Sequence, residues 1–366
     1  MLRQPGVISL GIGEPDLSPP SNVREGAKKA WDEGFTHYTP NLGIPELREA
    51  ICQKTKREYG LSYEPSEVIV TAGAGEAIFL ALQAFLNVDD EVLIPDPGFV
   101  SYEANVFVAG GTPVHYPLLE ENAFCPTIED LDTAVTDKTR VLIVNSPSNP
   151  TGAVYPKEVL ASIADLAVRH DLLVISDECY EKFVYDDSKH YCLATFPGMR
   201  DRTVVINAFS KTYAMTGIRV GYALAPKEII DQLVLIHQYG VTCAGGPAQM
   251  GALAGLKGSQ QFVSEMVKEF DRRRKLIVSR INKIQGFQCL PPRGAFYLFA
   301  NAKKFGRSSQ ELASLIFEKA KVVAVPGSAF GERGEGYLRF SYATPYERIE
   351  EAMNRIEKVA SELASR

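Results

Sequence analysis

Five short runs constrain the fold more than anything else in this chain. They are Glu67-Val68-Ile69-Val70-Thr71, Glu91-Val92-Leu93-Ile94-Pro95, Val141-Leu142-Ile143-Val144-Asn145, Leu172-Leu173-Val174-Ile175-Ser176 and Thr203-Val204-Val205-Ile206-Asn207. Each is rich in β-branched residues and apolar on both faces, as buried parallel strands are. Between the third and fourth lies a stretch, 157–170, with Leu160, Ile163, Leu166 and Ala167 at helical spacing. Strand, helix and strand in repetition make an α/β fold, a mostly parallel sheet flanked by helices. The pattern then changes. A helix-like segment, 262–284, precedes the strand candidates Phe296-Tyr297-Leu298-Phe299, Val322-Val323-Ala324-Val325 and Tyr337-Leu338-Arg339-Phe340. A last helix opens at Thr344-Pro345-Tyr346-Glu347, which reads as a capping box with proline at the first helical position. The expected organisation is a large domain over residues 35–280 and a smaller α+β domain built from both chain ends, residues 1–34 and 281–366.

Composition removes several classes of function. The net charge is -6, so no basic footprint points to nucleic acid or an anionic membrane. No apolar run nears the roughly 18 residues of a membrane span. The start, Met1-Leu2-Arg3-Gln4-Pro5-Gly6, lacks a signal-peptide pattern. The six cysteines form no C-x-x-C pair and read as reduced thiols of a cytoplasmic protein. An anionic substrate would need local positive charge inside a pocket.

In open α/β sheets ligands bind beyond the carboxyl ends of the strands, so the residues just after each run matter most. After Thr71 comes Gly73-Ala74-Gly75-Glu76 and an apolar helix. Small residues at a helix start expose N–H groups to an anion, although the same turn can simply pack against the sheet. After Asn145 comes Ser146-Pro147-Ser148-Asn149-Pro150-Thr151-Gly152, a rigid connection that either presents the Asn149 amide or is only a turn. After Ser176 come Asp177, Glu178, Cys179 and Tyr180. A carboxylate at a buried strand tip needs a cation opposite it, unless it merely caps the next segment at the surface. Finally Ser210-Lys211-Thr212 lies on a loop that continues to Gly217 and Arg219. Such a lysine is either a desolvated amine nucleophile or a solvated surface charge.

Taken together, these motifs resemble the class I and II aminotransferases, the fold-type I pyridoxal-phosphate enzymes. Within that family they are similar to bacterial and archaeal aspartate and aromatic aminotransferases. The resemblance runs from Gly11-Ile12-Gly13-Glu14-Pro15-Asp16, through Tyr38-Thr39-Pro40 and Gly43-Ile44-Pro45-Glu46-Leu47-Arg48, to the Asn149 and Asp177 segments. It continues through Ser210-Lys211-Thr212 and Gly294-Ala295-Phe296-Tyr297 to Arg339-Phe340-Ser341-Tyr342.

It implies a transaminase that moves the amino group of an L-amino acid to a 2-oxo acid such as 2-oxoglutarate, with pyridoxal 5′-phosphate as cofactor. By resemblance, Lys211 is the covalent anchor of the cofactor and the base at Cα, and Asp177 pairs with the pyridinium nitrogen. Asn149 and Tyr180 hold the phenolic oxygen, and Phe99 stacks on the ring. Ala74, Gly75, Ser210 and Arg219 hold the phosphate, joined by Tyr38 of a second subunit, which implies a homodimer with shared active sites. Arg339 clamps the substrate carboxylate, helped by Gly13 and Asn149; its guanidinium supplies the local positive charge.

Three departures bear on the substrate. Few residues precede Gly13, where the family usually has a longer arm that covers the substrate. Ala208 stands where many relatives carry a hydroxyl. Gly75 stands where acid-specific relatives often carry a lysine, which leaves room for aromatic or broad substrates beside aspartate. A β-lyase or a cyclopropane-forming synthase would share the same site, since both need the same electron sink. A non-catalytic cofactor-binding regulatory module would need a DNA-binding extension that the sequence lacks.

Overall fold

The computed structural model describes residues 6–364. Its strands are β1 (Ile8–Ser9), β2 (Val68–Thr71), β3 (Glu91–Asp96), β4 (Thr112–Pro117), β5 (Thr139–Asn145) and β6 (Leu173–Asp177), then β7 (Thr203–Ala208), β8 (Gly221–Leu224), β9 (Tyr297–Asn301), β10 (Val322–Val323), β11 (Val325–Pro326) and β12 (Tyr337–Ser341). Seven of them form one sheet in the order β2-β8-β7-β6-β5-β3-β4. β8 runs antiparallel to both its neighbours and every other pairing is parallel.

The two-faced apolar pattern has a direct structural counterpart. Val141 and Ile143 of β5 pack with Ile69, Ile175 and Ile206 against the helices Ala74–Phe85 and Lys227–Gly240. Leu142 and Val144, one residue out of phase, face the helix Lys157–Arg169 with Val174. On that same side but at the other edge of the sheet, Val68, Val70 and Val205 meet the helices Pro45–Tyr59 and Gly246–Lys257. Side chains alternate with period two, and helices cover both faces.

The C-terminal region forms the antiparallel sheet β11-β12-β9, flanked by the helices Gln261–Ile281, Ser309–Ala320 and Tyr346–Ala364. The chain start joins it through β1, which pairs in parallel with β10. The single run expected over 322–325 is two strands with different partners. Pro345 sits one position before the last helix, and Thr344 donates its hydroxyl to the Ser9 carbonyl, which ties the helix start to β1. No helix among the described residues is long and apolar enough to cross a membrane.

Register decides where the polar residues converge. Asn145 of β5 lies opposite Asp177 of β6, and Ala208 of β7 lies opposite Gly221 of β8, which in turn lies opposite Thr71 of β2. Four strands therefore present their motif-bearing ends at one edge.

Candidate active site

A cavity of about 550 Å³ opens at that edge. Eleven of the twelve residues singled out from the sequence line it: Gly13, Ala74, Gly75, Phe99, Asn149, Asp177, Tyr180, Ser210, Lys211, Arg219 and Arg339. The exception is Tyr38, which is 86% exposed on this single chain and lies outside the cavity.

Asp177 closes β6 and is buried. Its carboxylate accepts from the Tyr102 hydroxyl at 2.7 Å and from the Cys179 N–H at 3.2 Å. Burial is the dominant influence and raises its pKa, and these two donors offset it only in part. A carboxylate in this state would be stabilised by a cation placed in the cavity. The Asn145 side chain fixes the strand end by donating to the Asp177 carbonyl, and its oxygen accepts the Asn149 N–H at 2.9 Å.

Lys211 lies in a short helical turn, Phe209–Thr212, directly after β7. Its ammonium donates to the Gly13 carbonyl and faces the Tyr180 and Phe296 rings at 5.9 Å. It makes no ion pair among the described residues. Its one hydrogen bond among the described residues is thus to an exchangeable carbonyl.

The anion cradle begins at Gly73, the cap of the helix Ala74–Phe85. Its φ of 94° and ψ of 166° belong to a region essentially reserved for glycine. A Cβ there would lie 2.4 Å from an Arg219 nitrogen. The guanidinium of Arg219 is held by the carbonyls of Thr216, at 2.8 Å, and Ala72, at 3.2 Å. Ala74 and Gly75 at the helix start, Ser210 and Arg219 all line the cavity, a donor set suited to an anion. Glu76 in the first turn is drawn away from it: its carboxylate accepts from the Ala72 N–H and contacts His237 Nδ1 at 2.8 Å.

At the opposite end, Arg339 on β12 is buried between two rings, 4.5 Å from the Tyr297 centroid and 4.8 Å from that of Phe330. One terminal nitrogen donates to Asn149 Oδ1 at 2.9 Å and the other to the Gly11 carbonyl. Nε is buried without a hydrogen-bond partner among the described residues. Burial lowers the Arg339 pKa. A buried guanidinium that lines a cavity, with no acidic partner among the described residues, is a carboxylate-binding feature. Gly13, expected to help Arg339 hold a carboxylate, lines the cavity; its carbonyl accepts from Lys211, and the carbonyl that meets the guanidinium is that of Gly11.

Among the cavity residues not singled out from sequence, four make the polar or ring contacts that shape the site: Tyr102, Asn145, Tyr297 and Phe330. Asn145 carried a signal, as a polar residue ending an apolar strand. The three aromatics read as core in any apolar context, and nothing local to them marks a site.

The donor set fits a cofactor with a cationic ring nitrogen, an aldehyde and a phosphate: an uncompensated buried carboxylate, an amine free of acidic partners and a helix-start cradle lie in one cavity. Comparison with known proteins agrees with this chemistry. Residues 5–356 match the family model for aminotransferase class I and II. An aspartate aminotransferase of Pyrococcus abyssi is 51% identical over 97% of this chain and 92% of its own length. An aromatic-amino-acid aminotransferase of Thermococcus litoralis is 49% identical over 98% and 92%. The crystal structure of an aromatic aminotransferase from Pyrococcus horikoshii superimposes with a TM-score of 0.95 at 50% identity, covering 97% of this chain and 96% of the other.

Proposed function

The chain belongs to the class I and II aminotransferases, and from that premise we propose how its own residues divide the work of amino transfer. It is an enzyme that moves the amino group of an amino acid to a 2-oxo acid. The proposed cofactor is pyridoxal 5′-phosphate, which when bound supplies an aldehyde carbon for the amino group and a cationic ring that accepts electrons from Cα.

Lys211 would anchor that cofactor covalently, and its Nζ would serve as the base that takes and returns the substrate Cα proton. Its reach across the cavity to Gly13 supports a mobile role of this kind. Asp177 holds the proton on the ring nitrogen, and the resulting ion pair reverses the cost of its burial. The Tyr180 hydroxyl and the Asn149 amide nitrogen hold the phenolic oxygen; the Asn149 carbonyl oxygen is already committed to Arg339. Phe99 covers one ring face. The Ala74 and Gly75 N–H groups, Ser210 and Arg219 hold the phosphate, with Tyr38 of the partner subunit added in a homodimer. Arg339 binds the substrate α-carboxylate beside Asn149 and the segment Gly11–Gly13.

We further assign the large domain to residues 35–280 and the small domain to 1–34 and 281–366, and place the enzyme in the cytoplasm, in keeping with its free cysteines. The preferred donor is aromatic or broad rather than strictly acidic, because Gly75 leaves no cationic side chain in the phosphate loop to meet a second carboxylate.

The observation that carries this reading is that Lys211, buried Asp177 and buried Arg339 line one cavity. The test is a half-reaction without acceptor, run on a panel of aspartate, phenylalanine, alanine and kynurenine. The enzyme should convert the cofactor's aldehyde absorption to that of the amine and release one oxo acid per site. Release of ammonia would instead identify a lyase.

A further inference from the structure

Tyr297 opens β9 and is 1% exposed, and three of the groups assigned above meet on it. Its hydroxyl lies 2.7 Å from that of Tyr180. Its ring carries the Arg339 guanidinium. The register explains that contact: Tyr297 pairs with Ser341, two residues beyond Arg339 on β12, so ring and guanidinium are diagonal neighbours on one sheet face. The third contact is with Gly13. A Cβ at Gly13 would fall 2.2 Å from the Tyr297 hydroxyl oxygen, so only glycine lets the Lys211-accepting segment lie over this ring.

A tyrosine hydroxyl donates one hydrogen bond and accepts up to two. If Tyr180 gives its proton to the cofactor's phenolic oxygen, the bond between the two hydroxyls must run from Tyr297 to Tyr180. A hydroxyl that accepts such a bond is a stronger donor, since chained hydrogen bonds polarise one another. The ring has a separate effect. Together with Phe330 it fixes the plane of a guanidinium whose two terminal nitrogens are also held by Asn149 and Gly11.

We propose that Tyr297 is a positioning residue that joins the two ends of the site: its hydroxyl strengthens Tyr180 as a donor to the cofactor, and its ring orients Arg339 for the substrate carboxylate. This rests on the roles given above to Tyr180 and Arg339. The two contributions are separable, because phenylalanine removes the first and keeps the second, whereas leucine removes both.

The test compares wild type, Tyr180→Phe, Tyr297→Phe and Tyr297→Leu as cofactor-loaded enzymes. The visible absorption of each is titrated against pH. Loss of a donor disfavours the phenolate, so the apparent pKa of the chromophore should rise in both Tyr297 variants, by less than in Tyr180→Phe. Equilibrium binding of 3-phenylpropionate, a carboxylate with no amino group, is measured alongside. Its Kd and the KM for phenylalanine should rise about three- to thirty-fold in Tyr297→Leu, and by less than about threefold in Tyr297→Phe. The proposal is overturned if Tyr297→Phe titrates like wild type, or if Tyr297→Leu binds the carboxylate like wild type. If Tyr297→Leu fails to fold, the Tyr297→Phe titration decides alone. An unshifted Tyr180→Phe chromophore would instead remove Tyr180 from the phenolic oxygen, a failure of the underlying reading.

Discussion

At residue scale, the site is a set of buried groups each left one partner short. Asp177 is the clearest. Its pKa in the cofactor-free chain is raised by burial, above the roughly 3.9 of an exposed aspartate. For a carboxyl raised on folding, the unfolded chain loses its proton first. Native stability is therefore full below pH about 3.9 and is lost as pH climbs through the folded value. Asp177→Asn should accordingly abolish turnover yet raise the melting temperature of the cofactor-free protein at neutral pH, with no gain below pH about 3.9. Thermal unfolding across pH checks this, and a destabilised variant at pH 7 would count against the assignment. Asp177 and Arg339 were legible in the sequence because each is a charge at the end of, or within, an apolar strand, where solvation makes a charge conspicuous, whereas Lys211 stood out only through the order of the motifs around it. Tyr102 and Tyr297 were not, because a buried tyrosine looks the same in sequence whether its hydroxyl meets a catalytic group or a backbone carbonyl.

At the scale of elements, strand ends and helix starts do the positioning. Gly73 lets the chain turn from β2 into the helix Ala74–Phe85 beneath the Arg219 guanidinium. Gly73→Ala should cost about 1–3 kcal/mol from backbone strain alone. It should also weaken cofactor retention, measured by equilibrium dialysis, because Arg219 must move. A second element contact is a buried ion pair behind the sheet. Lys54 on the helix Pro45–Tyr59 lies 2.6 Å from Glu181, which follows β6. Burial alone would raise the Glu181 pKa, but Lys54, Lys182 and His190 together bring it to about 2. That stability is present above the ordinary glutamate value of about 4.3 and is lost as pH falls toward the folded one. Lys54→Met should cost about 3–5 kcal/mol in denaturant unfolding, and the double variant with Glu181→Leu should recover most of it. Elements were legible in proportion to their periodicity. Every two-faced apolar run is a strand, within about two residues. β4 escaped notice because it is an edge strand with a proline near each end, and β8 because it is four residues long and begins with glycine.

At the scale of the whole molecule, the fold brings distant segments to one sheet edge, and that convergence was only partly legible. The order of motifs pointed to it, whereas the pairings Lys211 with Gly13 and Arg339 with Gly11 depend on the chain start crossing to β10, which no local pattern announces. Trp31, Tyr38 and Tyr239 are largely exposed on the single chain, as residues of a subunit interface would be. Light scattering should give twice the mass of the chain, and a monomer with full activity would remove Tyr38 from the phosphate site. The roles assigned to the residues around the cofactor depend on one covalent attachment. Borohydride reduction of the cofactor-loaded enzyme, followed by digestion and mass mapping, tests it most directly: the reduced cofactor should be found on Lys211 alone, and its recovery on any other lysine would contradict the assignment of the site.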